Sequence, residues 1–177
     1  MKTEYEVRIL EINLEDTINK LEKLGATLIG KYEQKRYVYD LVPAEKGKWI
    51  RLRTNGEKAT LTYKDVVSDK IDGTKELEFE VSDFEKTNEF LERIGFYNKG
   101  YQENNRIQYE LDGVEIDIYT WPLIPTYMEI EGKSEEDVLN MINKLNMNKE
   151  KITSLDVQNV YKQYGIELEE IKELKFK

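Results

Sequence analysis

The sequence contains neither cysteine nor histidine among its 177 residues. Without cysteine there are no disulfides, no thiolate nucleophile and no Cys/His zinc site, and without histidine there is no Ser-His-Asp arrangement and no histidine general base. Any catalysis must therefore rely on carboxylates, lysine, arginine, tyrosine or a hard metal ion bound through oxygen.

Long apolar runs are also absent. No stretch approaches the roughly 18 residues that a membrane-spanning helix needs, and the opening Met-Lys-Thr-Glu-Tyr-Glu lacks the apolar region of a signal peptide. We therefore expect a cytoplasmic protein with no membrane partner. The 27 Lys and Arg residues against 36 Asp and Glu give a net charge of −9. This balance argues against a nucleic-acid partner, because affinity for phosphate backbones normally comes from a basic face.

Proline is scarce, with only three residues, and no linker or low-complexity tract interrupts the chain. At roughly 150 residues per domain, this length predicts a single domain over residues 1–177. Residues 150–177 read as a C-terminal helical extension. Their helix and charged tail would either close one mouth of the fold or pack against a second copy in a homodimer, and the sequence leaves both open.

Eight stretches alternate apolar with charged residues, as β-strands do. They cover residues 4–11, 35–41, 49–53, 59–65, 75–81, 106–111, 114–119 and 127–131. Asp112-Gly113 predicts a two-residue hairpin turn. Wider apolar spacing predicts helices over 14–24 and 83–94, a third that begins near Ser134 and a fourth over 155–164. We expect an α+β fold in which the eight antiparallel strands are enough to close a barrel.

An internal repeat is visible at an offset of 70 residues. "EYEV", "DTINKLEKLGA" and "YEQKRYVYDL" parallel "EFEV", "EKTNEFLERIGF" and "YQENNRIQYEL", so that Gly25 matches Gly95 and Arg36 matches Arg106. A third copy of the Glu-x-Glu strand and helix begins at Glu129. The repeated unit is therefore a strand followed by a helix.

Alternation places the charges of each strand on one face, as with Glu4, Glu6 and Arg8 opposite Val7 and Ile9. A half-exposed sheet with one solvated face would give the same alternation. The charged face is, however, short of Ser, Thr, Asn and Gln. Polar interiors are typical of barrels that enclose a ligand, which is the second interpretation.

The two charge signs suggest complementary ligands. Glu-x-Glu pairs supply the oxygen ligands of magnesium, manganese or calcium, whereas arginine forks bind phosphate oxygens. Both sets on one closed sheet suggest a metal-bridged phosphate ester. Either set could instead form structural ion pairs with the other.

At these residues the sequence resembles the CYTH superfamily, the triphosphate tunnel metalloenzymes, from Glu4 to Glu131. The resemblance is carried by six motifs in order: "EYEVR" at the position of a Glu-x-Glu-x-Lys signature, "WIRLR", "LTYK", "ELEFE", "NNRIQYELD" and "YMEIEG". It implies an eight-stranded antiparallel barrel whose tunnel holds a triphosphate, with helices packed on the outside.

The resemblance also implies roles for individual residues. The implied ligands of a divalent metal, Mg or Mn, are Glu4, Glu6, Asp117, Glu129 and Glu131. The implied triphosphate contacts are Arg8, Arg51, Arg53, Lys64 and Arg106. Glu78, Glu80 and Arg8 are the implied catalytic residues, with the two glutamates orienting a second metal or the attacking water. The role of Arg36 stays open between the tunnel and a solvated edge, and Tyr37, Tyr39, Tyr63 and Tyr109 read as core or rim aromatics.

Three functions follow from the resemblance. The first is a metal-dependent triphosphatase acting on inorganic triphosphate or on a nucleoside or thiamine triphosphate. The second is a class IV adenylate cyclase, which needs an adenine pocket for which no motif is evident. The third is a module that binds polyphosphate without turnover. The sequence departs from the family pattern at two places. Arg8 stands in place of lysine, which keeps the charge but replaces a point donor with a planar fork and would alter substrate orientation. "IYTWPLIPTYM" stands in place of a glycine-rich hairpin, and this stiffer loop weakens the case for a cyclase.

Overall fold

Eight long strands and four helices make up most of the molecule. The computed structural model describes residues 1–177. The strands are β1 (Lys2–Ile9), β2 (Thr27–Asp40), β3 (Lys48–Thr54), β4 (Ala59–Val66), β5 (Thr74–Val81), β6 (Asn98–Leu111), β7 (Val114–Thr120) and β8 (Tyr127–Gly132). The helices are α1 (Leu14–Lys23), α2 (Phe84–Arg93), α3 (Glu135–Leu145) and α4 (Val157–Gln163). None of the four helices is long and apolar enough to cross a membrane.

The strands close into a barrel. They follow the order β6-β2-β3-β4-β5-β1-β8-β7, and β7 pairs back with β6. Each neighbouring pair in this ring is antiparallel. The expected α+β fold with an eight-stranded antiparallel barrel is confirmed, and the half-exposed open sheet is the interpretation that fails.

Two strands are much longer than the sequence predicted. β2 and β6 each have 14 residues, whereas the alternation pattern predicted only 35–41 and 106–111. Their first halves, residues 27–34 and 98–105, are rich in polar side chains and so lack a clear apolar alternation. β2 and β6 pair with each other from Thr27↔Glu110 to Tyr39↔Asn98, and this long pairing extends both strands.

The helix bounds that the sequence predicted agree with the structure within two residues. Asn13, Asp83 and Ser134 each accept a hydrogen bond from a backbone amide three residues later, as N-caps do. Gly25 and Gly95 follow α1 and α2 with φ of 81° and 97°, a left-handed conformation that favours glycine. The two glycines thus end equivalent helices in the two copies of the repeat.

The repeat is visible as two strand-helix-strand units, β1-α1-β2 and β5-α2-β6. The units meet where Gln34 of β2 pairs with Asn104 of β6, two residues that are 70 apart in sequence. The equivalent strands β2 and β6 are thus antiparallel and related by a local two-fold axis near this pair. The third strand and helix, β8 and α3, extend the pattern.

Apolar side chains pack on the outside of the barrel. The largest buried cluster lies between α1, α3 and the outer faces of the strands, and it contains Val7, Ile9, Leu21, Tyr109, Leu111, Val114, Ile116, Ile118, Met128, Ile130, Val138, Met141, Ile142 and Leu145. A smaller cluster of Tyr39, Leu52 and Leu91 lies under α2. Because these faces are covered by helices, the opposite strand faces point into the barrel.

The C-terminal segment packs onto the barrel. Two short strands, β9 (Ile152–Thr153) and β10 (Glu173–Leu174), pair with β1 and β6. Val160 and Tyr161 of α4 are buried in a cluster with Trp121 and Tyr127. The structure therefore shows this segment packed against the barrel, with α4 over Trp121 and Tyr127, and packing against a second copy stays a prediction.

We predict that the outer cluster supplies much of the stability, and α3 offers a matched pair of leucines to test this. Leu145 is 1% exposed and Leu139 is 44% exposed. Leu145→Ala should lower the free energy of unfolding by about 2–5 kcal/mol, because it leaves a cavity in a packed core. Leu139→Ala should change it by less than about 0.5 kcal/mol. Urea denaturation followed by circular dichroism measures both, and equal losses would contradict this assignment of the core.

Candidate active site

Charged side chains on the inner strand faces are buried rather than solvated. On β1, Glu4, Glu6 and Arg8 are buried, while Val7 and Ile9 lie in the outer cluster. Burying a charge is costly unless it is paired. The inner face must therefore supply counter-charges, and the structure shows where they lie.

The barrel encloses a cavity of about 320 Å³. Its lining holds seven cations and seven carboxylates, together with Gln108 and the apolar or aromatic side chains of Tyr119, Trp121, Tyr127 and Val157. The cations are Lys2, Arg8, Arg36, Arg51, Arg53, Lys64 and Arg106. The carboxylates are Glu4, Glu76, Glu78, Glu115, Asp117, Glu129 and Glu131. The cavity as a whole is balanced, but its charges are not evenly spread.

Six carboxylates gather on β1, β7 and β8, and we call them the acidic wall. They are Glu4, Glu6, Glu115, Asp117, Glu129 and Glu131. Arg8 lies among them, with its Nη2 atom 3.0 Å from Glu6 Oε1 and 2.8 Å from Glu129 Oε2. Its Nη1 atom donates to the carbonyl oxygen of Leu155 at 2.8 Å. Arg8 thus joins two carboxylates of the wall to the segment before α4.

Three other cations contact the acidic wall. The Lys64 ammonium donates to both oxygens of Glu4 at 2.7 and 2.9 Å. Arg106 Nη2 lies 2.6 Å from Glu115 and 2.7 Å from Asp117, and Lys2 Nζ lies 2.8 Å from Glu131. Only four cations therefore form ion pairs with the six carboxylates of the wall.

Burial raises the pKa of several carboxyls on the acidic wall despite these contacts. The pKa of Glu4 rises to about 8 and that of Glu129 to about 7, because desolvation outweighs the attraction of Lys64 and Arg8. The pKa values of Asp117 and Glu131 are also raised by burial. Burial raises the pKa of Glu6 as well, but Arg8 and Lys64 bring it down to about 2. Full ionisation of the wall would therefore leave more negative charge than its four cations neutralise.

These residues fit a divalent metal ion. Carboxylate oxygens of Glu4, Glu6 and Glu131 lie within 4.8 Å of one another. Asp117 Oδ1 is buried without a hydrogen-bond partner, so it keeps a free lone pair in the cavity. Oxygen donors of this kind suit hard cations such as Mg²⁺ or Mn²⁺. An additional cation would also relieve the excess charge of the wall.

Three guanidinium groups form the opposite surface, which we call the basic wall: Arg36 on β2, and Arg51 and Arg53 on β3. In the ring of eight strands, β2 lies four strands from β1, and β3 lies four strands from β8. The basic wall therefore faces the acidic wall across the barrel. The basic wall has a single carboxylate neighbour, Glu78, at 3.3 Å from Arg51 and 3.7 Å from Arg53. Burial and the nearby Arg51 lower the pKa of Arg53. This wall carries excess positive charge.

The structure brings nearly all of the candidate site residues together. Those that line the cavity are Glu4, Arg8, Arg51, Arg53, Lys64, Glu78, Arg106, Asp117, Glu129 and Glu131. Glu6 is buried beside them against Arg8.

Glu80 is the exception. It pairs with Lys58 at 2.7 Å, and its side chain is 64% exposed. It shares the inner-face phase of Glu76 and Glu78, but it lies near the end of β5 beside the turn before β4, outside the cavity lining. Alternation indicates the face on which a side chain lies and not how far along the barrel it lies.

Several lining residues were missed by the sequence prediction. Arg36, whose role was open, lies on the cavity side and is buried. Trp121 also lines the cavity. It follows Asp117 and Tyr119 at the same two-residue spacing, and this alternation could have indicated that it faces inward. Of the four tyrosines expected to be core or rim aromatics, Tyr39 and Tyr109 are buried in the outer clusters and Tyr37 packs against one of them.

Comparison with known proteins gives a consistent picture. A sequence profile of the CYTH domain matches residues 2–159. A search of curated proteins found no match. Among solved structures, the PH1012 protein from Pyrococcus horikoshii OT3 is 28% identical with a TM-score of 0.76, over 86% of this chain and 96% of that one.

Two more distant structures share the fold. A proposed adenylate cyclase from Vibrio parahaemolyticus is 11% identical with a TM-score of 0.77, over 91% of this chain and 98% of that one. HpAC1 from Hippeastrum, a proposed adenylyl cyclase described as having a dominant triphosphatase activity, is 14% identical with a TM-score of 0.63, over 96% of this chain and 99% of that one. At these identities the likeness establishes the barrel architecture alone.

We predict that stability without metal falls as pH rises. Unfolded glutamates lose their protons near pH 4.5, whereas folded Glu4 and Glu129 keep theirs until about pH 8 and 7. Between these values the folded state binds more protons, so the free energy of unfolding decreases with pH. The lowered pKa of Glu6 acts only below pH 4.5. In EDTA the melting temperature should therefore fall from pH 5 to pH 8.5.

Added Mg²⁺ should raise the melting temperature more at pH 8.5 than at pH 5.5, because metal binding requires ionised carboxylates. Differential scanning fluorimetry across this range measures both effects. Glu4→Gln should reduce the pH slope and the gain from metal together. A gain from Mg²⁺ that does not change with pH would contradict the assignment of these carboxylates.

Proposed function

This chain belongs to the CYTH domain family, and we propose that it is a metal-dependent phosphohydrolase acting on a small triphosphate, inorganic triphosphate being the simplest. The cavity would bind the triphosphate, and Mg²⁺ or Mn²⁺ would bind at the acidic wall. The proposal is supported by the chemistry of the lining, which offers oxygen ligands on one side and arginine forks on the other.

The separation of charge across the cavity is the observation that carries this proposal. Six carboxyl groups face three guanidiniums that have only one carboxylate, Glu78, among them, so each surface carries a surplus of groups of its own sign. A ligand that neutralises both must present cationic and anionic parts together. A divalent metal bound to a triphosphate has this character, because the metal takes the carboxylates and the phosphate oxygens take the arginines.

The proposed roles follow from position. Glu4, Glu6, Asp117, Glu129 and Glu131 would hold the metal. When bound, the metal would supply charge neutralisation for the phosphoryl oxygens. Arg51, Arg53, Lys64, Arg106 and Arg8 would bind the triphosphate. Because Arg8 already joins Glu6 to Glu129, it also keeps two metal ligands in place.

Glu78 is the residue proposed to orient the attacking water. Burial raises its pKa, but the Thr62 hydroxyl, Arg51 and Arg53 together bring it below the usual value, so the carboxylate is ionised at neutral pH. An ionised carboxylate accepts a hydrogen bond from water and aims its oxygen at phosphorus. Phosphoryl transfer depends mainly on positioning and electrostatic stabilisation, which the surrounding cations would supply.

The lining favours a phosphohydrolase over a class IV adenylate cyclase. A cyclase needs a flat apolar slot for adenine. Trp121 is the largest aromatic ring in the lining, and its face is covered by the Arg36 guanidinium at 4.5 Å from the ring centroid. The cyclase is therefore the alternative function, and a module that binds polyphosphate without turnover is the second alternative.

Two conservative substitutions test the acidic wall. Glu6→Gln and Glu129→Gln should each lower the rate of phosphate release from inorganic triphosphate by about 100-fold or more, because each removes charge from the metal site. Circular dichroism should show an unchanged fold. The control is Glu89→Gln on α2, where the exposed Glu89 forms an ion pair with Arg93 outside the cavity. Undiminished phosphate release from both site variants would contradict the proposal.

Product analysis separates the three functions. With Mg²⁺ or Mn²⁺, the protein should convert inorganic triphosphate to phosphate and pyrophosphate, measured by anion-exchange chromatography. Incubation with ATP should give no cyclic AMP. Formation of cyclic AMP and pyrophosphate would establish the cyclase instead, and tight triphosphate binding without hydrolysis over hours would establish the binding module.

A further inference from the structure

Arg36 differs from every other cation that lines the cavity. Lys2, Arg8, Arg51, Arg53, Lys64 and Arg106 each lie within 4.0 Å of a carboxylate oxygen. Arg36 has no such partner, although it is only 6% exposed. Its Nη2 atom donates to Asn104 Oδ1 at 2.7 Å, and its Nε atom is buried without a hydrogen bond. A buried cation without a counter-charge destabilises a fold, so its presence requires another explanation.

The neighbourhood of Arg36 adds to this cost. Arg36 on β2 pairs directly with Arg53 on β3, and like charges at directly opposite positions repel. Burial and the charges of Arg51 and Arg53 lower the pKa of Arg36 to about 9. All three observations indicate that an anion is the missing partner.

Arg36 is held in one orientation. Its guanidinium carbon lies over the Trp121 ring, and Asn104, which itself donates to Gln34 at 3.0 Å, holds one of its N–H groups. Trp121 is buried and packs edge-on against Tyr161 of α4, whose hydroxyl donates to the carbonyl oxygen of Pro122 at 2.7 Å. A guanidinium fixed in this way is preorganised to bind oxyanions through its free N–H groups.

We propose that Arg36 is an anion-binding residue that seats one end of the triphosphate, together with Arg53, at the Trp121 side of the cavity. Trp121, Tyr127 and Val157 line this side, and the C-terminal segment packs behind it. The segment therefore acts as a support for Arg36 through Trp121. The inference rests on the proposed function for the identity of the anion, but it concerns binding and not hydrolysis.

Isothermal titration with sodium tripolyphosphate in EDTA tests the proposal without turnover. Arg36→Gln should raise the Kd by about 10–100-fold, the usual loss for hydrogen bonds to a charged group. Arg36→Lys should restore part of the affinity, since it keeps the charge but not the fork. Arg93→Gln, which changes an exposed arginine on α2, is the control and should bind like the wild type.

The melting temperature without ligand separates a binding role from a structural one. If Arg36 binds substrate, Arg36→Gln should leave this melting temperature unchanged or raise it, because the substitution removes an uncompensated buried charge. Binding by Arg36→Gln within twofold of the wild type would overturn the proposal. So would the unfolding of both Arg36→Gln and Arg36→Met, since Arg36 would then be structural.

Hydrolysis assayed separately with Mg²⁺ distinguishes this inference from the proposed function. Binding that depends on Arg36, without hydrolysis, would remove the proposed function and leave the inference standing. Hydrolysis by the wild type, with binding that does not depend on Arg36, would overturn the inference and leave the proposed function standing. A wild-type protein that neither binds tripolyphosphate in EDTA nor hydrolyses it with Mg²⁺ would overturn both.

Discussion

Closure of the barrel is the constraint on which the rest of this structure depends. Because each strand alternates its side chains between two faces, closing eight strands sends every second side chain of each into one shared volume. Charges that would be solvated on an open sheet become buried neighbours. Glu4 on β1 and Lys64 on β4 form an ion pair in this way, although β5 lies between their strands. The chemistry of the cavity is therefore set by strand order as much as by residue type.

Burying many charges in one cavity lowers the stability of the fold. Glu4 and Glu129 keep raised pKa values and the arginines of the basic wall repel one another, so the inner face contributes little favourable free energy without a ligand. The compensation lies outside, where apolar clusters pack between the strands and α1, α2 and α3. The outer faces of the strands thus stabilise the fold, and the inner faces carry the charged residues of the candidate site.

The sequence predicted the barrel because alternation is a local signal, clear in Glu4, Glu6 and Arg8 against Val7 and Ile9. It predicted the face of most site residues for the same reason. It did not predict the full length of β2 and β6, whose first halves are stabilised by each other and not by an apolar face. It also could not tell that Glu80 falls outside the cavity, because the stagger between neighbouring strands decides how far along the barrel each inner side chain lies.

The internal repeat explains why one arginine of the cavity lacks a carboxylate. Arg36 and Arg106 occupy equivalent positions on β2 and β6, 70 residues apart, and Gln34 pairs with Asn104 where the two units meet. The strand that follows β6 supplies Glu115 and Asp117, which bind Arg106. The strand that follows β2 supplies Arg53 instead. Equivalent backbones with different neighbours thus give one arginine a structural partner and leave the other available to an anion, so that a nearly symmetric fold carries an asymmetric site.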